Sequence, residues 1–144
     1  MLVIDTSVWV AHLRDADTAM TRAFRVLLST RLPELATTEP ILMEILAGAT
    51  DDRALRQLEA LTAGLPLLQV DALRDYHDAA AIYRAARRGG EAVRKLIDCL
   101  IAAVVIRHDA TLVHNDRDFD VIARVAPLRT LTLPAPPRRR PTRR

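Results

Sequence analysis

Four carboxylates in this sequence stand where carboxylates do chemistry. Asp5 closes the apolar run LVI at 2–4, and Asp116 follows TLVH at 111–114 after a single asparagine. Ligands of open α/β sheets bind at the carboxyl ends of parallel strands, so if these two runs are central neighbours their terminal acids meet. Glu44 lies among Ile41, Leu42, Met43, Ile45 and Leu46, and Asp98 between Ile97 and Cys99-Leu100-Ile101. An isolated carboxylate in such company must be neutralised, hydrogen-bonded, paired or bound to metal. Glu44 has no basic residue at i±3 or i±4; Asp98 has Arg94 at i−4, provided its helix extends back that far. Each acid alone also fits a plainer role: Asp5 or Asp98 as a helix cap, Asp116 and Asp118 as turn residues after Asn115, Glu44 as a solvent-facing residue. Together they define a candidate shared site. Gathered carboxylates bind hard divalent cations, and Mg²⁺ uses a few of them plus substrate phosphate. The corresponding chemistry is metal-assisted phosphodiester hydrolysis. No Ser-His-Asp or Cys-His arrangement competes.

The elements that must position these acids alternate between short β-like runs and longer helical ones, the pattern of an α/β fold with a mainly parallel sheet. Strands are expected at 2–4, near 34–37, at 67–70, 111–114 and 128–133. Thr6 or Ser7 can cap a short helix to about His12. Met20, Phe24, Leu27 and Leu28 mark one face of a helix over 18–29. Thr38 and Pro40 open a helix that Gly48 closes. Asp51-Asp52 starts another, with Leu55, Leu58 and Leu61 on one side and Gly64 and Pro66 stopping it. Asp71 caps a long helix to about Arg88, which Gly89-Gly90 breaks. Residues 91–97 are open between a helical turn and a loop. The almost wholly apolar helix from Asp98 to about Arg107 is expected to be buried on the sheet, and a short helix fills 117–125.

The 144 residues carry 21 Lys+Arg against 18 Asp+Glu, a formal charge of +3. With the five arginines of 138–144 set aside, 16 basic residues face 18 acidic ones, so residues 1–137 carry −2. The chain reads as a mildly acidic body, 1–133, with a Pro/Arg-rich, disordered tail at 134–144. Bulk positive charge is therefore not a route to nucleic acid. Five aromatic residues, Trp9, Phe24, Tyr76, Tyr83 and Phe119, are too few for a base-stacking platform. The single Cys99 excludes an intramolecular disulfide framework and a cysteine-based zinc site. No apolar run approaches the roughly 20 residues of a membrane span, and no basic segment precedes Asp5 as a signal peptide requires. A cytoplasmic setting is expected.

The chain resembles the PIN-domain ribonucleases, and closely the VapC toxins of bacterial toxin–antitoxin pairs. The resemblance covers residues 1–133 and rests on LVIDTSVWV at 2–10, EPILMEILAGA at 39–49, IYRAARRGGEAVRKLIDCLIAAVVIRH at 82–108 and TLVHNDRDFDVIA at 111–123. Each piece is weak alone; four in this order, with an acid in each, are specific. It implies a three-layer α/β/α sandwich with a sheet of about five strands in the order 3-2-1-4-5. It also implies that Asp5, Glu44, Asp98 and Asp116 are the catalytic, metal-binding acids, with Asp118 beside them. Ser7 or Thr6 would help hold a water on the metal, Mg²⁺ or its substitute Mn²⁺. His114-Asn115 stands where many relatives have Thr and a basic residue, so no hydroxyl side chain stands just before Asp116.

Arg84, Arg87 and Arg88 share a helical face, and Arg94 and Lys95 follow the Gly-Gly break. These side chains are candidates for RNA phosphate contacts, which position a strand without reading it; a solvated basic face is the plainer alternative. His12, His77 and His108 fit helix or helix-end surfaces, whereas His114 is the one histidine near the acids. The resemblance further implies cleavage of structured RNA, in tRNA or ribosomal RNA loops, with inhibition of translation and growth. It also implies a homodimer, a VapB-like antitoxin lying in the active-site groove, and promoter DNA bound only through that complex. An aspartyl-phosphate enzyme fits poorly, because Asp5 is followed by Thr6 and Ser7. A non-catalytic domain that binds antitoxin or nucleic acid is the remaining alternative, and it would be marked by loss of an acid.

Overall fold

The computed structural model describes residues 1–14 and 17–134. Of the tail expected at 134–144, residues 135–144 lie outside the described residues. The run LVI forms β1 (Leu2–Ile4), buried along its length. Asp5, rather than Thr6 or Ser7, caps α1 (Thr6–Leu13), because its carboxylate accepts the Ser7 N–H. In α2 (Ala19–Thr30) Met20 and Phe24 face inward, and Thr18 and Thr21 cap the helix reciprocally. The Phe24 ring meets Trp9 of α1 edge-on at 5.0 Å. After β2 (Leu35–Ala36), α3 (Glu39–Ala47) begins with Pro40 in its first turn and ends at Gly48. Asp51 caps α4 (Asp52–Thr62) by accepting the Ala54 N–H.

Next come α5 (Arg74–Arg88), α6 (Leu96–Arg107), β3 (Thr111–His114), α7 (Arg117–Val125) and β4 (Arg129–Thr132). The expected cap at Asp71 acts across a turn. Its Oδ1 accepts the N–H groups of Leu73 and Arg74, so α5 starts two residues later than the sequence suggests. Residues 91–95 form a loop. Helix α6 begins before Asp98, placing that acid inside the first turn rather than at the cap. From Cys99 to Val105 every residue of α6 is buried.

The sheet is parallel throughout, with order β2-β1-β3-β4 and helices on both faces. The expected strand at 67–70 contributes only a bridge between Thr37 and Leu67. If that bridge is counted as an outer strand, the order is the expected 3-2-1-4-5. The ladder stops there because other partners take the main-chain groups of the segment. Val70 N–H donates to the Glu39 carboxylate at 2.9 Å, and Gln69 C=O accepts from Arg107 at 2.6 Å.

One polar network under this edge joins α5 to α6. The fully buried Asp75 accepts from Arg107 Nε and Nη2, both at 2.8 Å, and from Asp71 N–H at 2.7 Å. Burial pushes the Asp75 carboxyl up, but the guanidinium and the Asp71 N–H hold it below the ordinary value.

Candidate active site at the carboxyl edge of the sheet

A parallel sheet puts the carboxyl ends of all its strands on one edge. Asp5 leaves β1 there, its N–H continuing the ladder to Val113 C=O at 2.9 Å. Asp116 sits two residues beyond β3 and caps α7, its Oδ1 accepting the Asp118 N–H at 3.0 Å. Helix α6 precedes β3 through only Asp109 and Ala110 after its cap His108, one of which, Asp109, takes a left-handed φ of 51°. Such a tight link forces the helix to run antiparallel to the strand, so its N-terminus, with Asp98, returns to the same edge. Glu44 comes from α3, which follows β2. Asp5, Glu44, Asp98 and Asp116 thus line one cleft of about 200 Å³, completed by Thr6, Ser7, Val10 and Lys95. A depression of about 470 Å³ between α5, α6 and the end of α7 is larger, but Asp78 is its only acid. The convergent acids belong to the smaller cleft.

Within the cleft most acids are already engaged. Ser7 donates to Asp5 Oδ2 from its N–H at 2.9 Å and its hydroxyl at 2.5 Å, and that hydroxyl accepts Asn115 N–H at 3.1 Å. Thr6 Oγ1 donates to Glu44 Oε2 at 2.8 Å. The two hydroxyls expected near a metal-held water thus act first on the acids themselves. Burial raises the Asp5 carboxyl; the Ser7 bonds oppose it, and the Asp116 charge adds to it. Asp98 is 3% exposed, and its Oδ2 is buried without a hydrogen-bond partner. Burial first, then the charge of Asp5, pushes its carboxyl up to about 7, with Lys95 drawing it back.

The five basic candidates divide. Arg84, Arg87 and Arg88 are exposed on α5 and line a separate depression, with the Arg87 guanidinium 6.0 Å from the Tyr83 ring centre. Lys95 lines the cleft, its Nζ 4.0 Å from Asp116 Oδ2. Arg94 is not on the helix with Asp98; it reaches from the loop to Asp118 and Asp116. No local sequence signal announces this contact, because the partners lie 22 and 24 residues away. Asp118 lies behind the cleft. Burial pushes its carboxyl up, and Arg94 brings it below the ordinary value.

His77 and His108 are exposed, as expected, while His12 is half-buried against Phe24 at 5.2 Å. His114 is fully buried rather than presented to a ligand. Burial lowers its pKa, and its Nδ1 accepts the Asp116 N–H at 3.3 Å, so the ring supports the β3–α7 turn. Cys99 is buried too, its thiol pushed up to about 11 by burial, which removes it as a nucleophile.

The donor set suits a hard cation: oxygens only, one of them buried and without a partner. Among the described residues, no three acid, imidazole or thiol side chains are gathered tightly enough to enclose an ion in this arrangement.

The PIN domain family model matches residues 2–125. The chain belongs to the PIN domain family. Within it, Ribonuclease VapC11 of Mycobacterium tuberculosis is 53% identical over 128 residues, covering 89% of this chain and 96% of that protein. VapC ribonuclease Mb1587 of Mycobacterium bovis matches with the same identity and coverage. This PIN domain also superimposes on VapBC-1 of nontypeable Haemophilus influenzae with a TM-score of 0.72 at 17% identity, over 91% of this chain and 96% of that one. VapC20 of Mycobacterium tuberculosis, described as a Sarcin-Ricin loop cleaving toxin, gives 0.64 at 21% identity, over 90% and 99%. These likenesses establish the fold; the 53% relatives place the chain among the VapC ribonucleases.

Proposed function

We propose that residues 1–133 are a divalent-cation-dependent endoribonuclease domain, the toxin of a type II toxin–antitoxin pair that cleaves structured RNA. One observation carries the reading: Asp5, Glu44, Asp98 and Asp116, distant in sequence, line a single cleft at the carboxyl edge of the sheet. Asp5, Glu44, Asp98 and Asp116 would hold Mg²⁺, or Mn²⁺ in its place. When bound, the cation supplies Lewis acidity to the phosphate and the attacking water. Ser7 fixes the Asp5 carboxylate for this task, and Thr6 fixes that of Glu44. Lys95 brings positive charge to a cleft wall whose other charged lining residues are acids.

The partners follow from the same reading. The substrate is an RNA loop in tRNA or ribosomal RNA, since unpaired loops are where proteins read RNA sequence. A VapB-like antitoxin would occupy the cleft and carry the pair to its promoter DNA. The exposed Met43, Tyr76 and Leu96, around apolar hollows floored by Ile97 and Leu100, support a homodimer contact. No helix among the described residues is long and apolar enough to cross a membrane.

The deciding experiment sequences RNA 5′ ends after brief induction of the wild type and of Asp98→Asn. New ends at a few defined loops in the wild type alone are expected. Identical ends in both strains would leave the non-cutting module as the better account.

A further inference from the structure

Arg94 is tied to the acids in two different ways, and the difference bears on how the site, read as above, takes its cation. Its main-chain N–H donates to Asp118 Oδ2 and its Nε to Asp118 Oδ1, both at 2.9 Å. These bonds clasp both oxygens of a carboxylate that is only 2% exposed and does not line the cleft. From that anchor Nη2 extends to Asp116 Oδ1 at 2.6 Å, onto an acid that does line it. The same oxygen already accepts the Asp118 N–H at 3.0 Å. A cation binding through Asp116 Oδ1 must therefore displace Nη2, whereas the two bonds to Asp118 use other atoms and can persist. The planar fork of arginine makes this division possible, because separate nitrogens point at separate acids.

We propose that Arg94 is a positioning residue, an internal counter-ion anchored on Asp118 that competes with the divalent cation for Asp116 and so sets the concentration at which the site loads. Asp118 acts through Arg94. The Arg94 side chain is 62% exposed, so the displaced end turns into solvent without loss of its anchor. Lys95 provides the internal comparison. It carries the same charge beside the same acid, but at 4.0 Å and without a hydrogen bond.

The test is a Mn²⁺ titration of the full chain, with free Mn²⁺ followed by electron paramagnetic resonance, a readout independent of cleavage. Arg94→Gln is expected to bind Mn²⁺ up to about five-fold more tightly, the scale of an exposed ion pair. Lys95→Gln should change affinity by less than about two-fold, as an unbonded surface charge does. Arg94→Lys keeps the charge but cannot hold both acids, and should fall between the wild type and Arg94→Gln. Equal tightening in Arg94→Gln and Lys95→Gln, or none in Arg94→Gln, overturns the proposal. Should Arg94→Gln fail to fold, Arg94→Lys decides: tighter binding than the wild type supports competition, and unchanged binding overturns it. The underlying reading fails separately, if the wild type binds no Mn²⁺ or if Asp98→Asn binds it equally well.

Discussion

At Asp98, burial and the neighbouring acids act in the same direction, against Lys95. Removal from water, and the nearby Asp5, Asp116 and Asp118, lift its carboxyl from the ordinary 3.8 to about 7. The folded chain therefore keeps a proton that the unfolded chain loses near pH 4. Stability tied to this group is fully present below that point, falls as pH rises, and is gone above about pH 7. At about 1.4 kcal/mol per unit, the effect reaches a few kcal/mol at its upper limit. Asp98→Asn in chelator-containing buffer should consequently melt above the wild type at pH 8, with the gap narrowing toward pH 5. Thermal melts at the two pH values check this, and a gap independent of pH would refute it. The four acids were legible in the sequence because each stands in or beside an apolar run, where an unused carboxylate is unfavourable. The bonds of Thr6 to Glu44 and of Arg94 to Asp116 were not, since they join residues 38 and 22 positions apart.

Helices and strands carry the acids to one place. The strands 2–4, 111–114 and 128–133 and every long helix were legible from periodicity and caps, because those signals are local. The segment 67–70 was apolar enough for a strand, yet Glu39 and Arg107, remote in sequence, satisfy its main chain. The α5–α6 join has the same character. Asp75 is fully buried, and Arg107 is its charged partner from 32 residues away. Arg107→Ala strips the charge from a buried carboxylate and should cost about 3 kcal/mol, toward the lower end for a broken buried pair because Arg107 keeps some solvent contact. Urea unfolding at pH 7 measures the loss. Because Asp75 is held below its ordinary value, the wild-type advantage should shrink as pH falls through the acid range.

On the scale of the whole molecule, charge is divided rather than averaged. The formal +3 combines a body of residues 1–137 at −2 with five terminal arginines. On the proposed function, attraction to RNA would depend on a cation held by the acids, on local residues such as Lys95, and on those arginines. Removing 135–144 should flatten the dependence of RNA affinity on salt, since fewer counterions are released. Binding to a non-cleaved RNA across a salt series, with Asp98→Asn as the background, checks this; an unchanged slope would exclude the tail from binding. The sequence by itself determined the α/β class through hydropathy period and caps, the family through four motifs in order, and which acids are candidates for a shared site through their apolar surroundings, all of them properties of short segments. The sequence also anticipated the carboxyl edge for Asp5 and Asp116; only the tertiary structure decided that Thr6 holds Glu44, that Asp98 is buried with an unpartnered oxygen, and that Arg94 holds Asp116. Those facts depend on long-range pairs and packing, and no local pattern encodes either.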